Sequence, residues 1–366
     1  VPRKTAQERA IIRAWRELSG GSAVSDASRT TLLACSAGVD SSALCLALAS
    51  HVRQPKAGPP RFILAHIQHD LRTPALATAD ALRAEELART LNLPFVLRHV
   101  HVHHKPGNAE ALARSARYAA LVALAREHHC PSIATAHQGD DALETFLMRA
   151  LRGAGPRGLA GLLPARRLQG ITIIRPMLTL SREDSLAICA AHRWSPALDH
   201  TNTLTGTPAD AHAPLRSRVR ALLVPTLKSL FPHAIASTAR LSAVQLAISR
   251  SLHARARRLA RKVLHVAAQH TDAHTRAHTH AHTLPDASRS LTFPKSLLQT
   301  KDDALLHDTL RLLVAHLTNA KGLDALSTRS TSRVLARIRS ASPHAATMRL
   351  GPITLHITRS TLTLTS

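Results

Sequence analysis

Apolar positions in the first two-thirds of the chain fall into short unbroken runs, separated by stretches in which they recur every three or four residues. The runs Thr31 to Cys35, Phe62 to Ile67, Phe95 to Val102, Ser132 to Thr135 and Ile171 to Ile174 predict strands. Ser41 to Arg53, Pro74 to Leu91, Asn108 to His128, Asp140 to Leu151 and Arg182 to His192 predict helices. Strands with little polar alternation are buried on both sides, so the expected class is α/β, a mostly parallel sheet with helices on both faces. Ligands in such sheets bind beyond the carboxyl ends of the strands. The unusual polar clusters of this half all fall at those ends.

The flanking regions read differently. Thr5 to Glu17 predicts an amphipathic lead-in helix and Ser19 to Ser28 a Gly/Ser linker, so residues 1–30 precede a main domain expected over 31–232. Leu241 to Ala267 reads as a long basic helix, giving a helical segment at 233–268. The His/Thr/Ala tract Gln269 to Asp286 has little to bury and is expected to be a flexible linker within 269–290. Its alternate histidines offer only weak metal capture. Asp303 to Leu317 predicts a helix and Met348 to Thr365 two alternating strands, enough for a small C-terminal domain at 291–366.

The 366 residues carry 48 Lys and Arg against 23 Asp and Glu, a formal charge of +25 with His neutral. Such an excess argues for a polyanionic partner, nucleic acid first, and arginine adds planar donors suited to phosphate. A coding bias toward Ala and Arg would produce the same signal, so the charge supports this reading without proving it. Aromatic residues are only 2% of the chain, which argues against single-strand stacking platforms. The cysteines, Cys35, Cys45, Cys130 and Cys189, form no CxxC pair and no zinc spacing, which fits a reducing interior. The sequence has no apolar signal segment and no membrane-length run, so a cytoplasmic location without a membrane partner is expected.

Four clusters carry chemistry. In Thr31 to Ser42 an apolar strand enters a small-residue turn and then a helix bearing hydroxyls and Asp40. The unpaired N–H groups of such a turn cradle phosphate, Ser36, Ser41 and Ser42 add donors, and Asp40 makes sense with a divalent cation between it and the anion. The absence of a following Lys excludes a Walker loop. At the second strand end His66 to Arg72 crowds ionisable groups into a turn. In Glu110 to Tyr118, helical spacing brings Glu110, Arg114, Arg117 and Tyr118 together, and the two arginines suit phosphate oxygens. In Ala134 to Glu144, His137, Asp141 and Glu144 line the first turns of a helix, a site for a cation or an amine. Arg149, Arg152, Gly153, Gly155, Arg157 and Gly158 follow as a loop suited to clamping a phosphate chain or an RNA backbone. A polar surface turn, surface ion pairing and helix capping are the competing explanations for the last three clusters.

Together these segments resemble the tRNA(Ile)-lysidine synthetases, of the PP-loop or N-type ATP pyrophosphatase group. The similarity runs from about Leu32 to Pro232: SAGVDS resembles the family's SGGxDS, HIQHDLR its HxxHxLR, ARSARY its ARxxRY and AHQGDDALET its AHxxDDxxET. RALRGAGPRGLAGL, IIRPMLTLSRED, DHTN and RSRVRALLVPTL follow in the family's order.

The resemblance implies an adenine nucleotide alpha hydrolase-like fold. It places ATP on Ser36, Ala37, Gly38, Val39, Asp40 and Ser41, with Mg²⁺ at Asp40 and Asp141. Asp40, His137, Asp141, Glu144, Arg114 and Arg117 become the catalytic candidates, with the three acidic-cluster residues fixing the amine or the metal. The implied substrates are a tRNA(Ile) with a CAU anticodon and L-lysine; carbon 2 of the first anticodon cytidine is adenylated and then attacked by the lysine ε-amine, releasing AMP. Arg216, Arg218 and Arg220 are expected to reach the anticodon stem or the ATP phosphates. A homodimer is compatible with the sequence.

The sequence departs from the family at three places. Ala37 replaces a glycine, at a cost of roughly 1 kcal/mol if the backbone there is left-handed. Ser217 interrupts an Arg-Asn-Arg pattern, and Thr203 to Ala213 is longer and richer in Pro and Ala. The alternatives are a PP-loop tRNA thiolation enzyme, disfavoured by the missing cysteine pairs and by Val39 before Asp40, and a non-catalytic tRNA-binding protein, disfavoured by carboxylates that repel a polyanion.

Overall fold

Leu32 and Leu33 are neighbours in strand β1 (Thr31–Ala34), have no exposed surface, and pack into separate cores on opposite faces of one sheet. The same division runs through β2 (Phe62–His69), where Phe62 and Leu64 join the first core and Ile63, Ala65 and Ile67 the second. Burial on both faces is why these strands read as unbroken apolar runs; each buried leucine contributes about 1.5–3 kcal/mol. The computed structural model describes residues 4–20, 30–50, 61–70, 73–102, 109–197, 214–277, 290–299, 301–321, 326, 328–340 and 344–366. They divide into two compact units, residues 1–245 and 246–366.

The first unit holds a six-stranded sheet completed by β3 (Phe95–Val100), β4 (Ser132–Ala134), β5 (Ala165–Leu168) and β6 (Ile171–Ile174), in the order β3-β2-β1-β4-β6-β5. All pairs are parallel except β5 with β6. The class is α/β with a mostly parallel sheet, as expected; the antiparallel edge strand β5 is additional. The sequential order reverses between β1 and β4, where Leu33 lies beside Ala134, and such a switch point opens a crevice at the strand ends.

Helices α1 (Ala6–Leu18), α2 (Val39–Ala49), α3 (Pro74–Thr90), α4 (Ala109–Glu127), α5 (Gly139–Ala150), α6 (Pro156–Leu159) and α7 (Arg182–Ala191) surround the sheet. The lead-in helix α1 belongs to it: a Thr5/Glu8 capping box starts it, and Trp15 Nε1 donates to Thr31 Oγ1 at 3.0 Å, while Thr31 Oγ1 lies 3.0 Å from Ser132 Oγ. Next come α8 (Leu215–Arg218), a π turn at Val219–Leu223, α9 (Val224–Leu230) and α10 (Ala234–Ala277). The expected linker is corrected in part, since α10 continues helical through the first residues of the His-rich tract; residues 278–286 of it lie outside the described residues.

The second unit contains an antiparallel sheet of β7 (Ser290–Pro294), β8 (Ala346–Leu350), β9 (Ile353–Ile357) and β10 (Thr361–Thr365), ordered β7-β10-β9-β8. Helices α11 (Ser296–Gln299), α12 (Asp303–Leu317) and α13 (Thr328–Arg339) complete it. The expected pair of strands in Met348 to Thr365 is therefore three: Thr358 N donates to Thr361 O at 3.0 Å, closing a turn inside the Thr-rich run. Among the described residues no helix is long and apolar enough to cross a membrane.

Candidate active site

The turn from β1 into α2 begins with Ala37 at φ +64°, in the left-handed region, and Gly38 caps the helix without a side-chain hydrogen bond. The departure at Ala37 thus falls where a glycine is favoured, and its side chain is fully buried. The first N–H groups of α2 have no acceptor within the helix and form the expected cradle. Hydroxyls stiffen it: Ser41 Oγ receives the Ser36 N–H at 3.1 Å and donates to Gly38 O at 3.0 Å, and Ser42 Oγ donates to Ala37 O at 3.2 Å. A cavity of about 610 Å³ opens over this turn, walled by the end of β2 (His66 to His69), by Arg114, Arg117 and Tyr118 of α4, and by His137, Asp141, Arg216 and Arg220.

Asp40 stands in that wall. Burial pushes its carboxyl above the ordinary value, against the pull of Ser185 and Arg182. Oδ2 receives Arg182 NH1 at 3.3 Å, whereas Oδ1 is buried and makes no hydrogen bond among the described residues. An orphaned carboxylate oxygen beside a phosphate cradle fits a divalent cation that completes its shell with phosphate oxygens and water. Among the described residues no group of three or more His, Cys, Asp or Glu could hold a metal alone.

The acidic cluster differs from expectation. Asp141 and Glu144 are not an open pocket: Arg216 reaches Asp141 Oδ1 at 2.9 Å and Glu144 Oε2 at 2.8 Å, and Arg220 reaches Glu144 Oε1 at 2.6 Å and Asp141 Oδ1 at 3.2 Å. Asp141 Oδ2 also caps α5 through the Gln138 N–H at 3.2 Å. Glu144 has no exposed surface, and a bare carboxylate there would carry a penalty of several kcal/mol, which explains the paired arginines. Arg216 and Arg220 are consequently committed to carboxylates rather than free for phosphate, and Arg218 lines neither cavity described here.

Behind this lattice a second cavity, about 460 Å³, shares Asp40, Asp141, Arg182 and Arg220 with the first. Five carboxylates (Asp40, Asp140, Asp141, Glu144, Glu183) line it against the cations Arg182, Arg220 and Lys228. Asp140 and Lys228 are residues that sequence reasoning gave no role. Lys228 Nζ bridges Asp140 Oδ1 at 3.1 Å and Glu183 Oε2 at 2.8 Å, and this bond holds the Glu183 carboxyl down at about 2. Asp140 Oδ2 in addition receives the Arg182 N–H at 2.9 Å, tying α5 to α7.

His137 Nδ1 lies 3.0 Å from Thr135 Oγ1. Burial, then the charges of Arg175, Arg114, Arg117 and Arg216, push its imidazole well below the ordinary value, so it is neutral. Of the remaining clusters, His66 Nδ1 lies 2.9 Å from Cys35 O, and Asp70 Oδ1 receives the Val102 N–H at 2.8 Å. Arg149 is corrected from phosphate clamp to loop anchor, because its NH1 holds Gly158 O at 2.9 Å and Gly161 O at 3.0 Å. Residues 71–72, the DHTN turn and Thr203 to Ala213 lie outside the described residues, as does the side chain of Glu110.

A PP-loop domain model matches residues 8–227. The tRNA(Ile)-lysidine synthase of Salinispora arenicola (strain CNS-205) is 38% identical over 248 residues, 68% of this chain and 70% of that protein. That of Salinispora tropica is 40% identical over 221 residues, covering 59% of this chain and 63% of the relative. That of Symbiobacterium thermophilum is 42% identical over 175 residues, covering 47% and 35%. The matches thus span between about a third and seven-tenths of these relatives' lengths. The chain belongs to the tRNA(Ile)-lysidine synthase family of PP-loop proteins.

Proposed function

We propose that this protein uses ATP to attach lysine to carbon 2 of the first anticodon cytidine of a tRNA(Ile) carrying CAU. The observation that carries this reading is the shared wall of Asp40, Asp141, Arg182 and Arg220, which sets a phosphate cradle and a carboxylate-rich cavity side by side at the β1/β4 switch point. Adenylation and amine attack both need that adjacency.

In the first step the cytosine O2 attacks the α-phosphorus of ATP and pyrophosphate leaves. The N–H groups of the turn, with the Ser36 hydroxyl, take the phosphate oxygens while Ser41, bonded to Gly38 O, gives up that bond to join them, and Arg114 and Arg117 stand across the same cavity for substrate phosphate or base. Asp40, through its unpartnered Oδ1, and Asp141, by giving up one of its arginine contacts, are the residues proposed to hold Mg²⁺. A bound Mg²⁺ supplies neutralisation of phosphate charge. In the second step the lysine ε-amine attacks carbon 2, the bond to the AMP oxygen breaks, and AMP leaves. The second cavity suits a lysine whose ammonium and carboxylate groups would take over partners from the ion pairs that line it, Lys228 with Asp140 and Glu183 and Arg182 with Asp40. The arginine lattice fixes where Asp141 and Glu144 present their charge, and His137, kept neutral by burial and the neighbouring arginines, would position the amine through a hydrogen bond.

Mass analysis of nucleosides from the tRNA after incubation with ATP and lysine tests the reading. A cytidine heavier by one lysine residue is expected at the first anticodon position. A sulfur-for-oxygen exchange would establish thiolation, and unchanged cytidine would contradict both.

A further inference from the structure

Tyr118 on α4 is ringed by arginines. The guanidinium carbons of Arg114, Arg117 and Arg166 lie 5.5, 5.8 and 4.7 Å from the ring centroid. Arg175, just beyond β6, faces the Tyr118 hydroxyl, and the two couple electrostatically. Among the described residues none of these four arginines pairs with a carboxylate. Elsewhere in the same unit Arg216, Arg220, Arg182 and Arg98 are all matched to acids.

The mismatch is deepest at Arg175. It is 4% exposed, its NH1 donates to Leu163 O at 2.6 Å, and its Nε is buried without a partner. Arg166 Nε is likewise buried and unpartnered, and the buried Tyr118 hydroxyl, on a residue 4% exposed, faces Arg175 and no acid. Cation–π contact offsets part of the repulsion. A buried cation without an acid is nevertheless poor stabilising material, since an apolar side chain of similar size packs as well or better. The charge is explained if the missing counter-ion arrives with substrate. Arg114, Arg117 and Tyr118 line the larger cavity, whereas Arg166 and Arg175 stand behind that wall.

We propose that Arg166 and Arg175 are positioning residues for a phosphate-oxyanion subsite on the Arg114, Arg117 and Tyr118 wall, separate from the cradle at Ser36–Ser41. This inference rests on the nucleotide and RNA reading above. The shared ligand chemistry is a phosphate oxyanion, which either the ATP tail or a phosphodiester beside the target nucleotide supplies. Arg175 orients Tyr118 and adds positive potential from below, while Arg114 and Arg117 make the contact.

Arg175→Met and Arg175→Lys, in the full chain, test it through the thermal midpoint without ligand and through separate affinities for ATP and for a CAU anticodon stem-loop RNA. For Arg175→Met we expect an unchanged or higher midpoint and an affinity about tenfold weaker for one ligand, the size of one lost charge-assisted contact. Loss for ATP alone identifies the nucleotide tail as the source; loss for RNA alone identifies the phosphodiester. Arg175→Lys should recover most of the affinity. If Arg175→Met lowers the midpoint, recovery of affinity by lysine without recovery of the midpoint still supports the subsite, whereas parallel recovery of both assigns Arg175 a structural role and overturns it. Unchanged affinity for both ligands also overturns it. A wild-type chain that binds neither ATP nor RNA would instead contradict the functional reading itself.

Discussion

Arg220 donates through Nε to Glu144 Oε1 at 2.6 Å, at a point where Glu144 has no exposed surface. Removing the guanidiniums strands a buried charge. Replacing both Arg216 and Arg220 by Gln is expected to lower unfolding stability by about 3–5 kcal/mol, and adding Glu144→Gln to that background should recover a large part of it. Denaturant titration of the three proteins measures both. A double variant as stable as wild type would contradict the lattice.

Ala37 tolerates its left-handed backbone because the terms nearly cancel. Glycine would relieve about 1–2 kcal/mol of backbone strain. It would also lose about 0.8 kcal/mol of buried methyl and add about 0.4–1 kcal/mol of unfolded-state entropy. Ala37→Gly should therefore change stability by less than about 1 kcal/mol, whereas Ala37→Val, β-branched and buried at φ +64°, should cost about 2–4 kcal/mol. Thermal unfolding of the pair separates the two effects.

Gly139 admits no side chain. A Cβ there would sit 2.4 Å from Ile235 Cγ2 and 2.7 Å from Leu180 O, so Gly139→Ala should cost about 1–3 kcal/mol and displace the start of α5 that carries Asp141. Ile235→Ala should rescue only part of the loss, because Leu180 O is backbone. Full rescue would show that the side-chain clash alone matters.

The neutral His137 sets a pH dependence. In the unfolded chain it takes a proton near 6.5, while in the folded chain it does so only well below that. The unfolded state then binds more protons across the window, so stability falls as pH drops below about 6.5 and rises as pH returns. His137→Gln should flatten this part of the stability profile. NMR titration showing His137 protonated at pH 6 would contradict the assignment.

Much of the first sheet is readable because β1, β2 and β4 are buried on both faces and β3 and β6 keep apolar runs: Ile171–Ile174 falls as expected, and the other four strands end within two residues of expectation. β5 was hidden because Ala165, Arg166, Arg167 and Leu168 lack an apolar run, and an edge strand needs only its pairing with β6. In the second unit the Thr-rich chain between β9 and β10 conceals a turn without Gly or Pro. The turn after β1, His137 and the α4 arginines line one cavity, and local spacing singles each of them out. The lattice was not, since Glu144 and Arg216 are 72 residues apart and nothing local says which carboxylate a given arginine will meet. Orphaned atoms such as Asp40 Oδ1 are likewise properties of packing that no sequence pattern carries.

AMP release from ATP, followed with and without L-lysine on a CAU-anticodon isoleucine tRNA and on a methionine tRNA, asks whether the two cavities work as one site. Release that requires lysine, occurs with the isoleucine tRNA alone and disappears in Asp40→Asn is the predicted result. AMP formation indifferent to lysine, or equal with both tRNAs, would contradict it.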